Sequence, residues 1–225
     1  MHSKLNPIYH DKNTSYFSHS RPELIPFIPK SIKTALDVGC GSGNFGRAVK
    51  NIFNCEVWGI EPNETEALEA GKKIDKAINN IFSGRIPELF GKKFDTIFFN
   101  DVLEHLVDPA DALLVCKKLL NKNGHIIASI PNIRWYPVIL SLLRYKDFKY
   151  ELAGVMDKTH LRFFTAKSMR RLFEDAGYEV ITIEGINKDR NFKFFNILNF
   201  LLFNTQWDMK YPQFAIVATP HSHAG

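Results

Sequence analysis

The chain has 225 residues, 45% of them hydrophobic, 24% charged and 13% aromatic, a balance that fills a globular core and excludes a disordered or collagen-like polymer. Its 29 basic and 24 acidic residues leave a net charge of +5, spread without the basic stripe of a nucleic-acid binder, so no nucleic-acid partner is expected. Cys40, Cys55 and Cys116 are odd in number and lack disulfide or metal-ligand spacing, which predicts no metal and a cytoplasmic setting.

Residues 1–30 form a polar arm punctuated by Pro22, Pro26 and Pro29, with Tyr16, His19 and Arg21 placed to fold over a ligand. It has no apolar signal-peptide core, and no later stretch nears the ~20 apolar residues that span a bilayer. From residue 31 a regular alternation begins. Strands are predicted over 35–38, 57–60, 77–82, 96–99, 125–130, 179–183 and 214–219, with helices over 44–52, 64–70 and 165–176. A further helix starts at Pro109 behind the capping Asp108 and is expected to end at Asn123 and Gly124. Strands alternating with helices predict a doubly wound, mainly parallel sheet covered on both faces. Residues 31–220 make up this domain, 221–225 are expected to be a disordered tail, and two aromatic-rich insertions, 132–158 and 186–212, interrupt the alternation.

The first strand runs straight into Gly39, Cys40, Gly41, Ser42 and Gly43 before a helix begins at Asn44. Such a turn brings backbone amides against a ligand, and the helix amino terminus favours negative charge. Gly41, Gly43 and Gly46 also spell G-x-G-x-x-G, with Glu61 at the spacing of a ribose-binding acid, so an NAD-linked dehydrogenase is one reading. Asp37, which ends the strand ahead of the first glycine, favours another. The stretch from Leu36 to Gly46 resembles the loop of class I S-adenosylmethionine-dependent methyltransferases. Residues 94–109, with Asn100, Asp101, Val102, Leu103, Glu104 and His105 at their centre, resemble the fourth-strand block of the branch that includes ubiquinone-type O-methyltransferases. Ile130, Pro131 and Asn132, with residues 157–165, resemble a bacterial sub-branch associated with sugar and cell-surface polysaccharide pathways.

The resemblance implies a Rossmann-like sheet of seven strands, one antiparallel, and S-adenosyl-L-methionine as cofactor. It assigns the amino-acid end of the cofactor to Asp37, the glycine loop with Cys40, Ser42 and Phe45 to its methionine and ribose parts, and both ribose hydroxyls to Glu61, followed by Pro62. Relatives often place an acid after the third strand for the adenine. Here Ser83, Gly84, Arg85 and Ile86 offer no carboxylate, so Ser83 or the backbone must read the base, with Ile86 on its face. Asn100, Asp101 and Val102 are expected below the reactive methyl group, and Arg21 is a candidate partner for the cofactor carboxylate.

For catalysis the candidates are His160, Asp101 and His105. A histidine removes a hydroxyl proton at neutral pH, and an arginine holds a phosphate or carboxylate. His160 is therefore expected as general base, oriented by Asp157, with Arg162, Asn132 and Tyr136 binding the acceptor; the competing reading is a structural polar cluster. Residues 132–150 read either as a helical lid touching a membrane surface or as a helix packed on the core. The expected activity is O-methylation of a small or carbohydrate-like acceptor. The alternatives are a quinone or phenolic lipid acceptor, the dehydrogenase, and a cofactor-binding module without catalysis. The sequence names no oligomeric state.

Overall fold

A computed structural model describes residues 20–188, 193–201 and 203–221. The expectations for Tyr16, His19 and the tail beyond His221 lie outside the described residues.

Seven strands, β1 (Thr34–Val38), β2 (Glu56–Glu61), β3 (Lys76–Asn79), β4 (Phe94–Asn100), β5 (Leu120–Pro131), β6 (Tyr178–Ile186) and β7 (Gln213–Pro220), form one sheet in the order β3-β2-β1-β4-β5-β7-β6. The first five pair in parallel, and β7 runs antiparallel to both β5 and β6, as the resemblance implied. Neighbouring residues of a central strand feed opposite layers because side chains alternate across a sheet. Phe99 packs with Leu36, Ile97 and Ile126, whereas Phe98 packs with Ala35, Val49 and Ile127. Such strands are apolar throughout because helices cover both faces.

The helices are α1 (Asn44–Phe53), α2 (Glu64–Ala70), α3 (Pro109–Leu119), α4 (Tyr136–Tyr145), α5 (Ala166–Asp175) and α6 (Lys193–Leu201). Local chemistry sets their starts. Asn63 accepts from the Glu66 amide, Asp108 from that of Asp111, and Thr165 forms a capping box with Ser168. Gly177, at φ 75°, turns the chain from α5 into β6, where the buried Tyr178 hydroxyl donates to the Leu113 carbonyl of α3 at 2.7 Å.

Two boundaries differ from expectation. The helix begun at Pro109 stops at Leu119, because Leu120 already pairs with Phe94 and Gly124 lies inside β5. The third strand ends at Asn79, whose amide turns back to the Glu61 and Pro62 carbonyls. The arm is docked rather than loose from residue 20 onward: a 3₁₀ turn, Pro22–Phe27, buries Leu24, and Ile28 and Ile32 follow it into the core. The insertions hold α4 and α6. They are tied by the Arg134–Asp208 ion pair at 2.7 Å and by the Tyr136 and Phe195 rings, 5.6 Å apart.

Candidate active site

A cavity of about 980 Å³ opens where the parallel strands end, the edge at which ligands bind in open α/β sheets. Its floor is the turn after β1. Gly39 and Gly43 adopt φ of 71° and 76°, a left-handed backbone that costs glycine nothing. A Cβ on Gly39 would lie 2.6 Å from Val102 Cγ2, and one on Gly43 2.9 Å from the Ala70 Cα, so side chains there would fill the cradle or drive the loop off its neighbours. Lys73 fastens the loop through the Ser42 carbonyl (2.6 Å) and the Asn44 side chain (2.9 Å).

Two carboxyls lie at the ends of β1 and β2. Asp37 lines the cavity, is almost fully buried and lies 3.4 Å from the Asn100 amide nitrogen. Burial and the nearby Glu61 push its pKa up to about 8 despite the opposing charge of Arg21. At neutral pH it is an acid awaiting a cation. Glu61 is buried behind the cavity wall: Oε2 accepts from the Gly41 amide and Oε1 from that of Asn63, each at 2.9 Å. It thus shapes the glycine loop, and the flanking Ile60 and Pro62 face the cavity.

Cys40, Gly41, Phe45, Ser83, Asn100 and Val102 also line the cavity; Ser42, Gly43, Gly84 and Arg85 do not. Ile86 was expected on the adenine face. Instead it is 1% exposed in the core, and Ile81, Phe82 and Val115 form the apolar slot beside Ser83. The chain leaves the sheet early after β3, which swings Phe82 inward. A glycine cradle, a buried acid suited to an ammonium group and a flat apolar slot together fit S-adenosylmethionine.

The opposite wall is polar. Asp101, at φ 54°, has its carboxylate fixed by Arg21, Ser129 (3.0 Å) and Gln213 (2.8 Å). Gln213 accepts from Asn187 at 2.6 Å, Asn187 reaches Glu23 at 3.5 Å, and Glu23 lies 3.5 Å from Arg21. The five side chains Arg21, Glu23, Asn187, Gln213 and Asp101 thereby close a circuit of hydrogen bonds. Three of them, Arg21, Asp101 and Asn187, have the left-handed backbone that non-glycine residues adopt at a cost, a concentration typical of functional sites. Arg21, the expected partner of the cofactor carboxylate, belongs to this circuit at the cavity wall.

Several catalytic expectations change place. His105 lines the cavity, with Nδ1 3.1 Å from the Thr159 carbonyl. His160 does not reach it: the ring is 8% exposed, T-stacked on His105 at 4.8 Å, with Nδ1 3.1 Å from the Val155 carbonyl. Asp157 Oδ1 takes the Thr159 amide (2.8 Å) and hydroxyl (2.7 Å). The acid facing His160 is Glu104, 3.9 Å from Nε2. Arg162 does not line the cavity and donates to the carbonyl of Val107, a residue of its wall. Asn132 is wholly buried, its amide donating to the Asp208 and Tyr211 carbonyls and its oxygen accepting from the Arg134 amide, so it braces the two insertions. Tyr136 packs on Phe195 away from the cavity. The first residues of α4 are half-buried, with Tyr136 against the buried Phe195, and no α4 residue lines the cavity. The insertion contributes Ala153 and Gly154 to the wall, and Leu106, Val107, Asp108, Asp111, Thr159 and Leu161 also line it. Sequence reasoning missed Glu23, Asn187 and Gln213, because nothing local relates residues that the arm, the residue after β6, and β7 bring together.

A family model described as a methyltransferase domain matches residues 9–183. The chain is similar to the ubiquinone biosynthesis O-methyltransferases of Marinobacter nauticus, 29% identical over 68% of this chain and 67% of the relative, and of Pseudomonas paraeruginosa, 27% identical over 74% and 73%. Among solved structures it resembles a SAM-dependent methyltransferase from Archaeoglobus fulgidus, with a TM-score of 0.66, 18% identity and 93% and 96% of the two chains covered. It also resembles a plantazolicin methyltransferase solved with a triazolic desmethylPZN analog and SAH, with a TM-score of 0.60, 16% identity and 92% and 81% covered. Those likenesses concern the fold.

Proposed function

Since the chain belongs to the methyltransferase-domain family and is a class I S-adenosylmethionine-dependent methyltransferase, we propose that it methylates a hydroxyl oxygen of a small, carbohydrate-like acceptor. The dehydrogenase reading is thereby set aside. The observation that carries the proposal is the polar circuit on the acceptor side, where Arg21, Glu23, Asp101 and Asn187 present charged and amide groups to the cavity. A molecule with several hydroxyls can bond to the donors and acceptors this wall still turns toward the cavity, whereas an apolar acceptor would take those polar groups out of water with nothing in return.

S-adenosylmethionine, when bound, supplies an activated methyl group on a sulfonium sulfur. In this reading Asp37 holds the ammonium group, the glycine loop and Pro62 carry the ribose, and Phe82, Ser83 and Val115 take the base. The protein otherwise excludes water, aligns the reacting atoms and removes a proton. His105 is the base. A carbonyl can only accept, so its Nδ1 carries the hydrogen toward Thr159 and Nε2 is the basic nitrogen.

A second reading has one observation in its favour: the curated relatives carry a ubiquinone biosynthesis name. A quinol or other phenolic lipid would use Leu106, Val107 and Leu161 of the cavity wall. The exposed Leu143 and Tyr145 of α4, beside Arg144 and Lys146, together with Phe200 of α6, would then rest on a membrane surface. No helix among the described residues is long and apolar enough to cross a membrane. Three buried free thiols support a reducing, cytoplasmic setting. Transfer of a labelled methyl group into fractionated cell extract, followed by mass analysis of the product, decides between acceptors. A methylated polyol supports the first reading, and a methylated phenol replaces it with the second.

A further inference from the structure

Glu104 has no role in the reading above, yet its burial demands one. The residue is 1% exposed, and neither carboxyl oxygen has a hydrogen-bond partner among the described residues. A buried, unpartnered carboxylate is among the most costly groups a core can hold. His160 Nε2 lies 3.9 Å from Oε1, and one nitrogen of each of His105 and His160 lies within 4.8 Å of a carboxyl oxygen. The Nδ1 of His160 faces the Val155 carbonyl at 3.1 Å and therefore carries hydrogen, which turns the lone pair of Nε2 toward the Glu104 carboxyl.

Resting on the assignment of His105 as base, we propose that Glu104 and His160 hold one proton between them, and that this buried acid–imidazole pair is a positioning unit behind His105. The backbone welds the three residues together. The Glu104 carbonyl accepts from the amides of Leu161 (2.9 Å) and Arg162 (3.1 Å), while His105 donates to the carbonyl of Thr159. The His160 ring abuts the His105 ring edge to face, so the pair fixes its angle. The pair also sets the local charge. With one shared proton it is neutral overall and does not oppose protonation of His105 during transfer; with a second proton it becomes a cation in contact with the base and resists it. Asp157 and Arg21, of opposite sign, bear on Glu104, and the Phe163 ring lies 6.2 Å from that of His160. Burial, the strongest influence on Glu104, pushes its pKa up to about 8.

The test uses the full chain without an acceptor, so its outcome is separate from that of the acceptor assignment. The Cε1–H signals of His105 and His160 are followed by NMR across the neutral range in the wild type and in Glu104→Gln, which keeps the side-chain shape. The expected result is a His160 transition displaced to lower pH by about one unit or more in the variant, because a buried imidazole without its acid loses its proton more readily. Superimposable His160 curves overturn the proposal, as does a stoichiometric shift of both histidine signals on adding Zn²⁺. Should Glu104→Gln not fold, His160→Asn read through the ¹³C carboxyl signal of Glu104 serves instead, and an unmoved carboxyl transition refutes the pair. Once the acceptor is known, Glu104→Gln should lower kcat about tenfold with KM unchanged and displace the acid limb of the pH–rate profile. An unshifted profile would reduce Glu104 to a packing residue.

Discussion

Cofactor affinity should depend on pH in a way that Asp37 dictates. Its carboxyl, buried and repelled by Glu61, keeps its proton up to about pH 8, yet it must be ionised to hold an ammonium group. Binding therefore expels a proton. By linkage, each pH unit below 8 costs a factor of ten, or ~1.4 kcal/mol, so affinity should tighten about tenfold between pH 6 and pH 7. The cofactor's own amine, with a pKa near ~8, stays protonated across that interval. Calorimetry with S-adenosylhomocysteine in two buffers of different ionisation enthalpy counts the protons directly and should give close to one released. Asp37→Asn should abolish both the release and the slope and bind more weakly at pH 7.5. The same raised pKa affects folding: the stabilisation is complete below the unfolded value of 3.8 and is lost as pH rises through about 8, so the wild type should lose stability over that range relative to Asp37→Asn. Equal affinities at pH 6 and pH 7, with equal heats in both buffers, would show that Asp37 is already charged in the free protein and refute the reasoning.

Glu61→Ala strips the acceptor from two backbone amides, so thermal unfolding should show a loss of roughly 2–4 kcal/mol along with at least a tenfold fall in cofactor affinity; an unchanged Tm would mean that the loop is held by something else. His105→Ala should lower turnover by about 10²-fold to 10⁴-fold at unchanged cofactor affinity, with the deficit shrinking as pH rises, and a full wild-type rate would remove its role as base. In vesicle flotation at low salt, the quinol reading expects recovery with anionic vesicles that Leu143→Asp abolishes, and a chain that stays in the bottom fraction argues for the polyol.

The sheet was legible because its signals are local. Apolar runs such as Thr96 to Phe99 are continuous where both faces are covered, and Asp108 with Pro109 announces a helix by capping chemistry alone. The glycine turn and Asp37 were legible for the same reason, since a strand, a turn and a helix start are contiguous. What failed was depth. His160 and Arg162 read as site residues because their chemistry suits one, but alternation along a segment does not say which face meets a cavity and which meets Glu104. Ile86 failed similarly: the third strand ends three residues earlier than its apolar pattern suggested, and Phe82 takes the exposed place. Arg21, Asn187 and Gln213 come from the arm, the residue after β6, and β7, more than 160 positions apart for Glu23 and Asn187, and only the closed sheet makes them neighbours.

The strand order carries a consequence for how the enzyme comes into being. β6 has no direct partner in the parallel part of the sheet; it joins only through β7, which inserts between it and β5 although it comes last in the chain. During synthesis the glycine loop, Asp37 and the end of β4 can assemble while β7 is still being translated, because every pairing they need lies earlier. Gln213, the first residue of β7, brings the amide that clamps Asp101 and links it to Asn187. The acceptor wall is thus closed by the strand made last, whereas the cofactor cradle is built from strands made first.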